Sequence, residues 1–256
     1  MSILRVFHEA AVPPAGETWT LGRDEARHLV RVRRAREGDP VEVLDGRGHR
    51  ALAKLVGVGG DTAALRTESV RAESAVAPRV HLCLALAKAK AFELAVRQAT
   101  ELGAASIVPV ATANCEVGLS GGRAAAKVDK WRAIAVESLK QCGNPWLPRI
   151  TAPVTLPEAL AAATVGPRLI ASLHPAARPV AAALAGDRPA EVHIFIGPEG
   201  DFTAAEYEAA FAAGWIPVTL AKTVLRVETA AVAALAVLAQ IGLTEVSGVL
   251  PPESPE

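Results

Sequence analysis

Residues 192–206 read VHIFIGPEGDFTAAE, and this stretch decides the fold. Its first part, Val192–Ile196, is rich in β-branched and aromatic side chains and predicts a buried strand. Thr203-Ala204-Ala205-Glu206 fits a capping box, in which the threonine accepts a hydrogen bond from the backbone and the glutamate reaches back. The stretch therefore predicts a strand joined to a capped helix by a turn that contains Gly197-Pro198-Glu199-Gly200.

The same alternation of strands and helices extends from Arg79 to Leu243. The predicted strands are Val80–Leu86, Ser106–Val110, Leu169–Leu173, Val192–Ile196 and Trp215–Leu220. The predicted helices are Phe92–Leu102, Lys127–Cys142, Pro157–Ala163, Pro179–Ala185, the capped helix after Thr203, and Glu228–Leu243. This alternation favours an α/β fold with a mainly parallel sheet covered on both faces. The pattern alone predicts a doubly wound sheet.

The N-terminal stretch has a different pattern. Short alternating runs at Pro40–Leu44 and Arg50–Val56 are separated by Asp45-Gly46-Arg47-Gly48, which is typical of a hairpin turn. Residues 1–72 therefore predict a small β-rich barrel, and Glu73–Pro78 has the composition of a linker. The catalytic domain is expected at 79–246, with a tail at 247–256.

Composition excludes several classes of protein. The 256 residues carry 27 basic and 27 acidic side chains, so net charge gives no argument for a nucleic-acid partner. Cys83, Cys115 and Cys142 are widely spaced and form no metal-ligand pattern, so no metal is expected. No signal peptide and no run of about 20 apolar residues is present, and we expect a cytoplasmic protein.

Three predicted strand ends carry unusual residues. Leu173-His174-Pro175, the GPEG turn and Leu220-Ala221-Lys222 lie where open α/β sheets bind ligands. Glycine lets a backbone approach a ligand closely. A tight turn without a ligand explains GPEG equally well, and a lone histidine such as His174 is more often a satisfied polar residue. Arg226 and Glu228, at the start of the last helix, fit either an ion pair or contacts to a charged ligand.

Four stretches in order resemble one family. IGPEGDF at Ile196–Phe202 and LRVETA at Leu225–Ala230 resemble the signature of the ribosomal RNA small-subunit methyltransferase E family, in the SPOUT superfamily. Lys88–Pro109 and Lys130–Pro148 resemble two helices of that family, and Arg5 with Phe7, His28-Leu29 and Gly38-Asp39 resemble its N-terminus.

The resemblance implies a SPOUT-type α/β methyltransferase domain with a C-terminal trefoil knot and an N-terminal PUA-like β-barrel. It also implies a homodimer that binds S-adenosyl-L-methionine in the knot loops and methylates N3 of a uridine in 16S rRNA of the 30S subunit. The implied cofactor-binding residues are Leu173, His174, Gly197, Pro198, Glu199, Gly200, Leu220, Ala221, Val224, Leu225, Arg226 and Thr229.

The expected chemistry assigns roles to three charged residues. Uracil N3 must lose a proton before it attacks a methyl group, and a cation stabilises the resulting anion. Arg226 is the expected cation, and Glu199 or Glu228 is expected to take the proton or to hold Arg226. The expected RNA-binding residues are basic: Arg5, Arg23, Arg27, Arg31, Arg33, Arg34, Lys88 and Lys90.

The chain departs from the family pattern at several positions. Asp201 stands where a second glycine is usual, and Leu220-Ala221 where Leu-Gly is usual. Thr112–Cys115 replaces a Thr-x-Arg-Ser motif, and Asn144-Pro145-Trp146 replaces basic residues. Two rival functions stay open: a SPOUT enzyme that modifies another base or ribose, and a non-catalytic RNA-binding assembly protein.

Overall fold

The structure is a computed structural model that describes residues 4–115, 122–184 and 188–243. The chain divides into two compact units. The first contains the described residues within 1–75, 96–105 and 120–151, and the second those within 76–95, 106–119 and 152–256. The predicted tail at 247–256 and the predicted domain end at residue 246 lie outside the described residues.

The N-terminal strands form a five-stranded sheet. The elements are β1 (Leu4–Phe7), β2 (Thr18–Thr20), α1 (Arg23–Arg27), β3 (Pro40–Leu44), β4 (His49–Gly59) and β5 (Thr62–Ala72), with a π-helical turn at His28–Val32. The strand order is β1-β3-β4-β5-β2, in which β1 is parallel to β3 and the other pairs are antiparallel. Its core contains Val6, Val43, Leu55 and Leu65. The predicted β-rich N-terminal region is confirmed.

The turn between β3 and β4 is the predicted hairpin. Gly46 and Gly48 have φ angles of +72° and +93°, which side chains disfavour. The Asp45 carboxylate accepts hydrogen bonds from the backbone N–H groups of Arg47 and His49, at 2.7 and 3.0 Å. The buried Asp45 carboxylate thus bonds two backbone N–H groups of a turn whose positive φ angles favour glycine.

The remaining elements alternate as predicted. They are β6 (Arg79–Ala85), α2 (Ala89–Glu101), β7 (Ser106–Ala111), α3 (Gly122–Cys142), β8 (Arg149–Ile150), β9 (Val154–Thr155), α4 (Leu156–Ala162), β10 (Arg168–Ala171), β11 (Arg178–Pro179), α5 (Val180–Ala183), β12 (Glu191–Ile196), α6 (Ala204–Ala212), β13 (Ile216–Thr219) and α7 (Val227–Leu243). In the second unit the strands run β11-β13-β10-β12-β6-β7, and every neighbouring pair is parallel. The predicted parallel α/β sheet is confirmed.

The strand order differs from the simple doubly wound expectation. Along the chain the strands follow in the order β10, β12, β13. In the sheet β10 lies between β12 and β13, and β12 lies between β10 and β6, so β10 and β12 have exchanged places. Neither of the two common doubly wound orders has this exchange. The exchange places the carboxyl ends of β10, β12 and β13 side by side, which periodicity cannot predict because it carries no information on pairing partners. The trefoil knot stays a prediction.

Several helix limits differ from the sequence expectation. α5 contains only four residues, against the predicted Pro179–Ala185, because Pro179 belongs to strand β11 and pairs with Thr219; Ala185 lies outside the described residues. α4 begins after an unforeseen capping pair, in which Glu158 accepts the Thr155 backbone N–H at 2.7 Å. The capping box at Thr203 and Glu206 is confirmed.

Helix α3 groups with the N-terminal strands, although it falls inside the predicted domain 79–246. Arg5 donates hydrogen bonds to the carbonyl oxygens of Lys140 and Gln141 at 3.2 and 3.0 Å, and Arg50 donates to the carbonyl of Gly143 at 2.7 Å. Two guanidinium groups therefore satisfy the free carbonyls at the C-terminus of α3. The domain limits at residues 72 and 79 stay a prediction.

Candidate functional site

A cavity of about 330 Å³ opens at the carboxyl ends of β10, β12 and β13. Three loops and the start of α7 surround it. The lining residues are Ala171, Ser172, Leu173, Ile196, Gly197, Pro198, Glu199, Gly200, Asp201, Leu220, Ala221, Thr223, Val224, Leu225, Val227 and Ala230. Its volume lies within the range of small-molecule sites, about 300–1,000 Å³. The exchanged strand order therefore builds a ligand-sized cavity at the expected edge of the sheet.

The turn Gly197–Asp201, here called the GPEGD turn, forms one wall of the cavity. It begins where β12 ends and passes into the capping box of α6. A Cβ atom added to Gly197 would lie 2.9 Å from the Phe202 ring, and one on Gly200 would lie 3.2 Å from the Cβ of Asn114. Glycine at these two positions thus allows the turn to pack closely against its neighbours.

Side chains from other loops hold the GPEGD turn. Asn114 Nδ2 donates hydrogen bonds to the carbonyl oxygens of Gly200 and Asp201, at 3.1 and 2.9 Å. Glu199 Oε1 accepts the backbone N–H of Lys88 at 3.3 Å. The turn is therefore connected to the chain after β6 and to the chain after β7.

Asp201 has a φ angle of +58°, in the left-handed region. Its Oδ1 accepts the backbone N–H of Phe202 at 2.8 Å and the hydroxyl of Tyr207 at 2.7 Å. Burial raises the pKa of the Tyr207 phenol; a hydrogen bond with Ser172 opposes this, and Asp201 raises the pKa further. Tyr207 therefore stays protonated and is a donor to Asp201 at neutral pH.

Nine of the predicted cofactor-binding residues line the cavity. They are Leu173, Gly197, Pro198, Glu199, Gly200, Leu220, Ala221, Val224 and Leu225. The sequence reasoning did not select seven further lining residues: Ala171, Ser172, Ile196, Asp201, Thr223, Val227 and Ala230. Val227 and Ala230 are one helical turn apart on α7, and this spacing was the signal that could have identified them.

Three predicted cofactor-binding residues do not line the cavity. The His174 ring packs edge-on against Phe211 at 5.4 Å, and its Nδ1 accepts the Ala176 backbone N–H at 3.1 Å. Arg226 and Thr229 have exposed side chains. Thr229 lies two positions after Val227 on α7, so its side chain points away from the side that Val227 faces. Cofactor binding by His174, Arg226 and Thr229 stays a prediction.

Arg226 and Glu228 do not form the ion pair that the sequence left open. Within residues 4–115, 122–184 and 188–243, neither side chain has an ion-pair partner. Arg226 is exposed directly before the first residue of α7, between the lining residues Leu225 and Val227. Its guanidinium is thus available to a ligand at the rim of the cavity.

The predicted RNA-binding residues have different surroundings. Arg5 pairs with Glu42 and caps α3, so its role in the structure is internal, which argues against the predicted RNA contact. Arg23 and Arg31 pair with Asp61 at 3.7 and 2.7 Å but remain exposed. The other predicted side chains are exposed: Arg27, Arg33, Arg34, Lys88 and Lys90.

Residues 4–115, 122–184 and 188–243 contain neither a cluster of metal ligands nor a helix that could span a membrane. No three His, Cys, Asp or Glu side chains in that part of the chain are grouped as metal ligands would be. Among the same residues, no helix has the length and apolar character needed to cross a membrane.

Two family models match this chain. The model of an RNA methyltransferase domain matches residues 73–239, and the model of an RNA methyltransferase PUA domain matches residues 21–68. With the cavity at the strand ends, these matches define the class: the chain is an RNA methyltransferase with an N-terminal PUA domain.

Curated relatives define the family more narrowly. The ribosomal RNA small subunit methyltransferase E of Synechocystis is 34% identical over 86% of this chain and 72% of its own length. The enzyme of the same name from Mycobacterium tuberculosis is 30% identical over 91% of this chain and 90% of its own. The chain belongs to the ribosomal RNA small subunit methyltransferase E family.

Solved structures agree with this assignment. A ribosomal RNA small subunit methyltransferase E from Neisseria gonorrhoeae, bound to S-adenosyl methionine, has a TM-score of 0.85 at 26% identity and covers 94% of this chain and 98% of its own. A putative methyltransferase from Legionella pneumophila in complex with the same cofactor has a TM-score of 0.85 at 28% identity, over 93% and 97% of the two chains.

Proposed function

We propose that this chain transfers a methyl group from S-adenosyl-L-methionine to N3 of a uridine in 16S rRNA of the 30S subunit. The observation that carries the proposal is the cavity built by the GPEGD turn, the loop after β10 and the segment before α7. Relatives with the same fold hold this cofactor in their structures.

The residues of the cavity fit the cofactor. Ile196, Leu225 and Val227 offer an apolar surface for a purine ring, and the backbone of the GPEGD turn offers polar groups for its edge. Glu199 and Asp201 bring negative charge to the cavity wall, which suits a ligand with a sulfonium and an ammonium group. The bound cofactor supplies an electrophilic methyl group on its sulfur.

Arg226 is the proposed cation for the target base. Its exposed side chain at the cavity rim has no ion-pair partner among the described residues, so it is free to approach a uracil carbonyl oxygen. A guanidinium at that position stabilises the negative charge that develops when N3 loses its proton. Its role is therefore with the base, rather than in the wall of the cofactor cavity.

Glu199 and Glu228 are the candidates for the proton acceptor. Glu199 lines the cavity, and its Oε1 is held by the backbone N–H of Lys88 at 3.3 Å. Glu228 is half-buried in the first turn of α7, two residues after Arg226. We favour Glu199 for the proton, because of the two carboxylates only Glu199 belongs to the cavity wall.

RNA binding is assigned to basic side chains in both units. Arg23, Arg27, Arg31, Arg33 and Arg34 are exposed in the PUA domain, and Lys88 and Lys90 are exposed at the N-terminal end of α2. We do not assign RNA binding to Arg5, because its guanidinium pairs with Glu42 and donates to two carbonyl oxygens of α3. Phosphate contacts of this kind make affinity fall steeply with salt and add little sequence selectivity.

A homodimer and a cytoplasmic location complete the proposal. Leu173 and Val224 at the cavity rim are 58% and 80% exposed, which is unusual for large apolar side chains and suits a partner subunit. We assign residues 1–72 to the PUA-like RNA-binding domain and 79–246 to the knotted methyltransferase domain. Light scattering of the purified chain measures its oligomeric state. A monomer at micromolar concentration contradicts the proposed homodimer.

Arg226→Ala tests the proposed chemistry. We expect methyl transfer to fall by at least about 100-fold, as when a group that stabilises transition-state charge is removed, while the cofactor Kd changes little. Arg226→Lys is the matched control, because it keeps the charge and loses the planar geometry. The assay is labelled methyl transfer to 30S subunits and to naked 16S rRNA, with mass spectrometry of the product nucleoside.

The outcomes separate the competing functions. N3-methyluridine supports the proposal, whereas a 2′-O-methyl product assigns the chain to another reaction. Absence of cofactor binding in calorimetry supports a non-catalytic RNA-binding protein. Full activity of Arg226→Ala contradicts the proposed role of Arg226 but leaves the proposed reaction unaffected.

A further inference from the structure

The GPEGD turn is held by two side chains that do not line the cavity. Asn114, after β7, donates from one amide nitrogen to the carbonyl oxygens of Gly200 and Asp201, at 3.1 and 2.9 Å. Tyr207, on α6, donates its hydroxyl to the Asp201 carboxylate at 2.7 Å. Both contacts reach Asp201, one through its backbone and one through its side chain.

Asp201 needs such support because of its backbone conformation. Its φ of +58° is disfavoured for a residue with a side chain, and such conformations persist when surrounding contacts hold them. Tyr207 is itself fixed, since its ring packs against Phe202 at 5.3 Å and Phe211 at 5.8 Å between centroids. A rigid donor on α6 thus meets a strained acceptor in the turn.

The chain after β7 is fixed to α6 as well. The backbone N–H of Ala113 donates to Glu206 Oε1 at 2.8 Å. The other carboxylate oxygen of Glu206 accepts the backbone N–H of Thr203 at 2.8 Å, as part of the capping box. Asn114 is therefore attached to the same helix that carries Tyr207, and both residues act on the turn from one rigid support.

We propose that Asn114 and Tyr207 are positioning residues for the methyl donor, which hold Asp201 in its left-handed conformation and so keep the GPEGD turn in the shape that binds the donor. This inference rests on the proposed function. When either hydrogen bond is removed, the turn spends part of its time in other conformations. The apparent affinity then falls in proportion to the fraction of molecules that keep the competent shape.

Calorimetric titration of the full chain with S-adenosyl-L-methionine tests the inference. We expect Asn114→Ala and Tyr207→Phe each to raise the Kd by about five- to tenfold, where tenfold corresponds to ~1.4 kcal/mol. The phenylalanine keeps the ring contacts and removes only the hydroxyl. Asn114→Asp gives the same loss, because a carboxylate cannot donate to carbonyl oxygens. Glu208→Ala, an exposed change on the same helix, is the control and leaves the Kd unchanged.

A coupling experiment asks whether Tyr207 acts through Asp201. Glycine adopts positive φ without support from a side chain. We therefore expect Tyr207→Phe to weaken binding less than about twofold in the Asp201→Gly background, against five- to tenfold in the natural background. In steady-state methylation, KM for the donor rises in the single variants, while kcat stays within about twofold because saturating donor binds the competent shape of the turn and so restores it.

The results distinguish the failure of each idea. Single variants that bind the donor as tightly as the natural chain refute the positioning roles and leave the proposed function intact. An equal loss from Tyr207→Phe in both backgrounds refutes the route through Asp201. A natural chain that binds no donor refutes the proposed function itself. Thermal unfolding is recorded in parallel, since a Kd change at an unchanged melting temperature excludes general destabilisation.

Discussion

Replacing Gly197 with alanine tests how closely the GPEGD turn packs on the core. The new Cβ would lie 2.9, 3.2 and 3.4 Å from three atoms of the Phe202 ring. That ring is buried and is confined by Phe195 at 5.0 Å and Tyr207 at 5.3 Å between centroids. Because neighbouring rings confine the Phe202 ring, relief of this contact requires the ring or the turn to shift against its own neighbours. Overpacking of this kind costs about 1–3 kcal/mol.

The measurement is thermal unfolding together with donor binding. At about 2–4 °C per kcal/mol for a chain near this size, the melting temperature should fall by roughly 2–12 °C. Donor affinity should fall too, because Gly197 forms part of the cavity wall. Gly57→Ala is the control: a Cβ there meets only the Cβ of Ala64, at an ordinary contact distance of 3.5 Å, and Gly57 has no positive φ, so a change below about 0.5 kcal/mol is expected.

A second substitution shows whether the clash is with Phe202. Phe202→Leu in the Gly197→Ala background replaces the ring with a smaller side chain. The melting temperature of the double variant should then fall by less than the sum of the losses in the two single variants. If Gly197→Ala unfolds and binds like the natural chain, the described contact between the turn and the ring is wrong. If it is destabilised but Phe202→Leu restores nothing, the clash lies elsewhere.

Three further predictions concern stability and reactivity. Glu42→Gln should lower the free energy of unfolding by about 1–3 kcal/mol, because two arginines bond to the carboxylate. Burial alone would raise the pKa of Glu42, but these arginines lower it below its ordinary value of 4.5. In urea unfolding, the difference in stability from the natural chain should therefore be full above pH 4.5 and shrink as the pH falls below it. Phe195→Ala should cost about 3–5 kcal/mol in the same assay, since this fully buried ring packs against two other aromatic rings, and a loss under 1 kcal/mol would contradict that packing. Burial raises the pKa of the Cys83 thiol to about 12, so a thiol reagent at pH 8 should label exposed Cys142 well before Cys83; comparable rates in the folded chain would contradict the burial.

Local sequence was sufficient for most elements. Val192–Ile196 forms a strand because β-branched and aromatic side chains suit a sheet, and Thr203 with Glu206 begins a helix because each satisfies a free backbone group of the other. The hairpin at Gly46 and Gly48 follows from their positive φ angles. Such features depend on interactions within a few residues, so they could be predicted without knowing the fold.

The candidate site was predicted in part. Gly197-Pro198-Glu199-Gly200, Leu220 and Leu225 were identified because they follow strands or match a family motif, and they line the cavity. The contact of the His174 ring with Phe211 was not predicted, because no local pattern indicates it. The exposure of the Arg226 side chain, directly before α7, could likewise not be predicted from local sequence.

The sequence by itself determined the elements, their parallel arrangement and the residues of the turn, because propensity, capping and spacing act over short distances. Only the tertiary structure decided that β10 lies between β12 and β13, and this order brings three strand ends to one cavity. It also decided that Asn114 and Tyr207, remote from each other in sequence, meet at Asp201. The reason is physical: strand pairing and side-chain contacts join residues that lie tens of positions apart, and no local pattern records which ones meet.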